Sequence, residues 1–165
     1  MANLRNLVKI SFYKFLNCTC LPPLGRLPNL RVIHLMEMNS LKCFHDDDKI
    51  MLGDTNMFPR LQELDIGMCS DLVSLPNNLP NLKVLKLEEC DKLVFLPDNL
   101  PSIRKLYLMR CDGLLSLPDD IQSFKDPNEL LINKCRHLSE RCKTDISVDW
   151  PKISHIPNVH IDPPR

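Results

Sequence analysis

Three segments of the chain superimpose without a gap: LQELDIGMCSDLVSLP from Leu61, LKVLKLEECDKLVFLP from Leu82 and IRKLYLMRCDGLLSLP from Ile103. Their period is 21 residues and their shared pattern is L-x-x-L-x-L-x-x-C-x-x-L-x-x-L-P. A fixed period of this length marks a chain built from stacked units, none of which can bury its apolar side chains alone.

The pattern dictates local structure. In L-x-L the two leucines sit at period two, so both face one side of a short strand. Every copy runs in the same direction, so the strands are expected to be parallel. The following Cys and Leu keep a spacing of three, which turns the chain while apolar groups still point inward. Pro76, Pro97 and Pro118 then bend the return limb and deny it a helix. The 29 leucines stand against 6 Phe, 2 Tyr and 1 Trp, which suits one repeated core layer. With 14 prolines and 4 glycines, the turns are built from Pro and Asn.

Looser copies flank the regular ones. Leu7, Ile10 and Phe12 form one, and Leu30, Ile33 and Leu35 another; Leu130 to Leu138 keeps L-x-I-x-x-C-x-x-L at a spacing of 24 residues. About six repeats over 1–142 are therefore expected. An irregular loop at 45–57 interrupts them, because Leu30 and Leu61 are 31 residues apart. Asp46, Asp47 and Asp48 in that loop lack the alternate ligand spacing of a calcium loop and read as a solvated bulge. Residues 143–165 show no copy of the repeat and are expected to cap the last coil with Trp150 and Ile153. Nothing comparable precedes Leu4, so the opposite end is expected to be open.

Of the eight cysteines, Cys69, Cys90, Cys111 and Cys135 fall at one repeat position. They are expected to form a buried column of compact apolar side chains, about 4.8 Å apart and in line. A line of thiols is not the tetrahedron that zinc requires, so no metal is assigned. A hydroxyl placed in such an apolar column is expected to cost about 1–3 kcal/mol.

Residues between and just after the inward leucines are expected to line the concave solvent face. The middle of that face carries acidic Glu63, Asp65 and Glu88 beside Lys86; the next row carries Lys105, Tyr107, Met109 and Arg110. Tyr and Arg dominate interface energies, which makes Tyr107 and Arg110 candidate anchors, with Met109 beside them. Partner binding is thus assigned to Glu63, Asp65, Lys86, Glu88, Lys105, Tyr107, Met109 and Arg110. Structural roles go to Cys69, Cys90, Cys111, Cys135 and Trp150.

Other functions find no support. A formal net charge of zero leaves no electrostatic footprint for nucleic acid or a membrane surface. No apolar run approaches the 18 residues of a membrane-spanning helix, and Met1 to Ile10 lacks the apolar stretch of a signal peptide. Of the five histidines only His34 falls on the concave face, and no Ser-His-Asp or exposed Cys-His arrangement is evident. The chain reads as a binding surface without catalytic residues.

The repeat resembles the leucine-rich repeats of plant intracellular disease-resistance proteins, the coiled-coil class of nucleotide-binding leucine-rich-repeat receptors. Two further segments carry the resemblance. Cys18 to Leu30, CTCLPPLGRLPNL, is similar to the family's C-x-x-L-P-P-L-G-x-L-P-x-L. Leu138 to Cys142, LSERC, followed by DWPKISHIP from Asp149, resembles the family's C-terminal ending. The resemblance implies an α/β-type leucine-rich-repeat solenoid: β-rich, right-handed, with a parallel concave sheet of about six short strands and little helix. It implies a cytoplasmic or nucleo-cytoplasmic recognition domain. Its partners would be proteins, either a pathogen effector or the receptor's own nucleotide-switch module, which it restrains. The family's ADP or ATP site cannot be carried over, because no G-x-x-x-x-G-K-[ST] is present and Gly25, Gly53, Gly67 and Gly113 are too scattered to cradle phosphates. The alternative expectation is a truncated receptor fragment or a stand-alone adaptor. An extracellular polygalacturonase inhibitor would instead carry L-x-G-x-I-P repeats and disulfide caps.

Overall fold

The computed structural model describes residues 4–44, 58–124, 126–143 and 147–162. The expected loop at 45–57, with its three aspartates, lies outside them. Among the described residues, seven strands form a single sheet in sequence order: β1 (Lys9–Tyr13), β2 (Val32–Met36), β3 (Glu63–Gly67), β4 (Val84–Glu88), β5 (Lys105–Met109), β6 (Glu129–Asn133) and β7 (Asn158–Ile161). All neighbours pair in parallel. Each strand follows from one L-x-L unit, and the inward pair is buried as the period-two reading requires. Leu64 and Ile66, Leu85 and Leu87, and Leu130 and Ile132 have no exposed surface.

The insertion does not disturb the register, since Val32 still pairs with Glu63. Phe44 and Phe58 flank it and meet edge to face at 6.1 Å, both buried, which fixes the two ends of the excursion.

A device invisible in the repeat pattern ends each of the first six strands. Lys14, Glu37, Met68, Glu89, Arg110 and Lys134 each follow a strand directly, and each has positive φ, between 52° and 59°. In the first five of these turns, that residue's N–H donates to the carbonyl closing the next strand, as from Met68 to Glu88 at 2.8 Å. The left-handed step turns the chain inward, so that Cys69, Cys90, Cys111 and Cys135 point into the core with no exposed surface. The column is less apolar than its composition suggests. Each Sγ reaches the carbonyl two residues back: Gly67 at 3.5 Å, Glu88 at 3.5 Å, Met109 at 3.3 Å and Asn133 at 3.6 Å.

The return limbs hold little helix: 3-10 turns at Leu24–Arg26 and Asp119–Ser123. Helix α1 (Arg136–Cys142) follows β6, and the four-residue α2 (Trp150–Ile153) carries Pro at its start, where a missing N–H costs nothing.

The tail differs from its reading as a cap without a repeat. Besides packing Ile153 and the partly buried Trp150 against the core, it adds β7, paired Leu130 to Val159. Ile156-x-x-Val159-x-Ile161 is the first half of the repeat, with β-branched residues in place of leucine. Arg141, Asp149 and Lys152 form one unit there. The buried Asp149 carboxylate accepts from Arg141 at 2.6 and 3.1 Å, and Lys152 lies 3.1 Å away. At the other end the inward residues Leu7, Ile10 and Phe12 are only partly buried, while Leu4, Val8, Phe15 and Leu16 are exposed.

Candidate protein-recognition face

Side chains at the first, third and fifth positions of each strand stand on the solvent side of the sheet. Seven of the eight residues assigned to partner binding lie there: Glu63 and Asp65 on β3, Lys86 and Glu88 on β4, and Lys105, Tyr107 and Met109 on β5. Arg110 follows in the left-handed turn after β5. The parallel register sets Asp65 beside Lys86, Lys86 beside Tyr107, and Glu88 beside Met109.

Two features correct the sequence reading. Tyr107 and Met109 are half-buried rather than openly exposed, because strand spacing packs Tyr107 between Lys86 and Leu131, and Met109 between Glu88 and Asn133. The acidic middle and basic flank are also not separate fields. Lys86 Nζ lies 3.7 Å from Glu63 and 3.8 Å from Asp65; Arg110 pairs with Glu88 at 3.2 Å and with Glu89. Lys105 pairs with Glu129 at 3.2 Å, and the Tyr107 hydroxyl donates to the same carboxylate at 2.8 Å.

These contacts shift the ionisable groups. Hydrogen bonds from Tyr107 and then Lys105 hold the Glu129 carboxyl below its ordinary range. Partial burial, with the Glu129 carboxylate beside it, raises the Tyr107 hydroxyl. The Glu89 hydrogen bond leads those that raise Arg110. Pairs this exposed contribute little stability, and their effect is to set side-chain positions.

His34 Nε2 lies 3.4 Å from Glu63, and donor atoms of His34, Glu63 and Asp65 fall within 4.8 Å of one another, a spacing that a cation could bridge. Lys86 Nζ stands beside both carboxylates, at 3.7 and 3.8 Å, so the three residues also take part in an internal ion-pair network. No helix among the described residues is long and apolar enough to cross a membrane.

Beyond the strand ends the sequence reading singled out Arg110, but not the aspartates that stand beside it. There an open groove of about 740 Å³ is lined by Met68, Glu89, Arg110 and Lys134 from the left-handed turns, with Asp91 and Asp112 from the next position but one. The signal was available: Cys90-Asp91 and Cys111-Asp112 repeat an acidic residue directly after the column cysteine.

No family model matches the sequence, and no curated protein matches it. Among solved structures, the chain is similar to the leucine-rich repeat domain of the type III effector XopL, with a TM-score of 0.54 and 18% identity over 96% of this chain and 69% of that one. At that identity the likeness speaks to the fold. With the seven parallel strands and sparse helix, it makes this chain a β-rich leucine-rich-repeat solenoid.

Proposed function

We propose that the solvent face of the sheet recognises another protein, and that the chain is the sensor region of a plant intracellular immune receptor. Leucine-rich-repeat domains are protein-interaction scaffolds in general. The observation that carries the reading here is the β5 row: two half-buried apolar side chains, Tyr107 and Met109, framed by Lys105 and Arg110 and ordered by Glu129, Glu88 and Glu89. A pre-positioned aromatic with a flanking guanidinium is the composition of interface anchors. The charges around it fix register and suppress wrong partners.

The receptor assignment rests on the C-terminal motif. Its Arg141 and Lys152 hold the buried carboxylate of Asp149 in one ionic unit, so the motif has a structural reason to recur. In this reading the domain works in the cytoplasm, senses a pathogen effector and restrains the nucleotide-switch module. ADP or ATP belongs to that separate module, and these residues perform no catalysis.

The test places the chain as the repeat region of a full-length receptor bearing a nucleotide switch. Tyr107→Ala with Arg110→Glu is expected either to abolish recognition or to release signalling without an effector. A double variant that accumulates and signals as the parent does refutes the assignment of this face. Loss of neither function with retained binding to other proteins would favour a stand-alone adaptor.

A further inference from the structure

We propose that Cys20 and Cys43 are the site of a reversible disulfide that clamps the first coil to the second, formed under a hydroperoxide oxidant. The two residues are register partners in an isolated parallel bridge outside the main sheet. Parallel neighbours stand about 4.8 Å apart, inside the Cα separation that a disulfide spans, so no backbone movement is required. Their Sγ atoms lie 3.2 Å apart. Both side chains are only partly buried, unlike the four column cysteines, so a small oxidant has access. Cys18 is close in sequence, but its Sγ is turned to the Cys20 carbonyl at 3.1 Å.

The chemistry balances with the oxidant named. One thiolate attacks the hydroperoxide, giving a sulfenic acid and an alcohol, or water from hydrogen peroxide. The second thiolate attacks that sulfur and expels hydroxide, which leaves as water once protonated. Two thiols and one hydroperoxide become one disulfide, one alcohol and one water. A dithiol reductant reverses it by exchange. The consequence lies at the least packed end of the solenoid, where the β1 inward residues are only half-buried. Segments with few buried contacts open first, and a cross-link there restrains them most directly.

The test uses the folded 165-residue chain, treated with hydrogen peroxide, alkylated with iodoacetamide and digested with trypsin. Cleavage after Lys14, Arg26 and Lys42 puts Cys43 on a different peptide from Cys18 and Cys20. The expected product joins the 15–26 and 43–49 peptides with loss of two hydrogens, and dithiothreitol abolishes it. Cys20→Ser and Cys43→Ser should each remove the product, while Cys18→Ser keeps it. The oxidised wild type should melt roughly 5–10 °C higher than the reduced form. Peptide mapping of the wild type decides the matter even if a variant misfolds. A Cys18–Cys20 link, a disulfide between chains, or full alkylation of both thiols after peroxide overturns the proposal.

Discussion

Arg141 grips Asp149 through two hydrogen bonds, Nε to Oδ2 at 2.6 Å and Nη2 to Oδ1 at 3.1 Å, although Asp149 is fully buried and the Arg141 side chain is 38% exposed. The asymmetry predicts unequal costs. Arg141→Ala leaves a buried carboxylate with Lys152 alone and should destabilise by about 3 kcal/mol. Asp149→Ala leaves a guanidinium that can turn to water and should cost less, about 1–2 kcal/mol. Urea unfolding of both variants beside the wild type checks the order; equal costs would refute it.

The same pair predicts acid sensitivity. Burial alone would raise the Asp149 carboxyl, but the hydrogen bonds from Arg141 and Lys152 prevail and hold it below its ordinary 3.8. A carboxyl depressed on folding contributes stability that is fully present above pH 3.8 and is lost as pH falls through the lower folded value. Wild-type stability should therefore drop below that pH more steeply than that of Asp149→Asn. Parallel acid titrations followed by circular dichroism would show it, and superimposable curves would count against it.

The cysteine column predicts a reordering of substitutions. Burial pushes the Cys142 thiol up to about 12, and Cys111, whose neighbours Cys135 and Cys90 press on it in opposite directions, also reaches about 12; burial raises Cys69 too. These thiols should resist iodoacetamide in the native chain, whereas Cys20 should react. Because the Glu88 carbonyl lies within reach of Cys90 Sγ, a hydroxyl there finds an acceptor. Cys90→Ser should cost about 1 kcal/mol, the low end for a buried polar group. Cys90→Leu overpacks the turn and should cost more, up to about 3 kcal/mol. Thermal melts of the two variants decide between this order and its reverse.

Two glycines predict opposite tolerance. A Cβ on Gly113 would stand 2.0 Å from the Asp91 carbonyl oxygen and 2.9 Å from that of Leu93, both backbone atoms. A Cβ on Gly67 meets chiefly the flexible end of Met36, at 2.6 Å. Gly113→Ala should destabilise by roughly 1–3 kcal/mol, as overpacking does, and Gly67→Ala by well under half as much. If both variants unfold at the same urea concentration, the close approach at Gly113 does not constrain the fold.

The sequence by itself determined the repeat, the inward leucine pairs, the parallel direction of the strands and the cysteine column. Each of these follows from a periodicity that one backbone geometry alone can satisfy. The seventh strand was less legible, because Ile156, Val159 and Ile161 keep the spacing while changing the residue type, and no column cysteine announces them. The left-handed turns at Met68, Glu89 and Arg110 left no mark, since no glycine or asparagine stands there; the adjoining ladder and the inward cysteine impose the backbone on whatever residue arrives. The candidate face divides in the same way. Period two already placed Glu63, Lys86, Tyr107 and their neighbours on one surface. Only tertiary structure decided that Lys86 stands between Glu63 and Asp65, that Arg110 reaches back to Glu88, and that Tyr107 is half-buried. The 21-residue period sets the register between these coils, but which side chains reach across it to pair is decided only once neighbouring strands stand side by side.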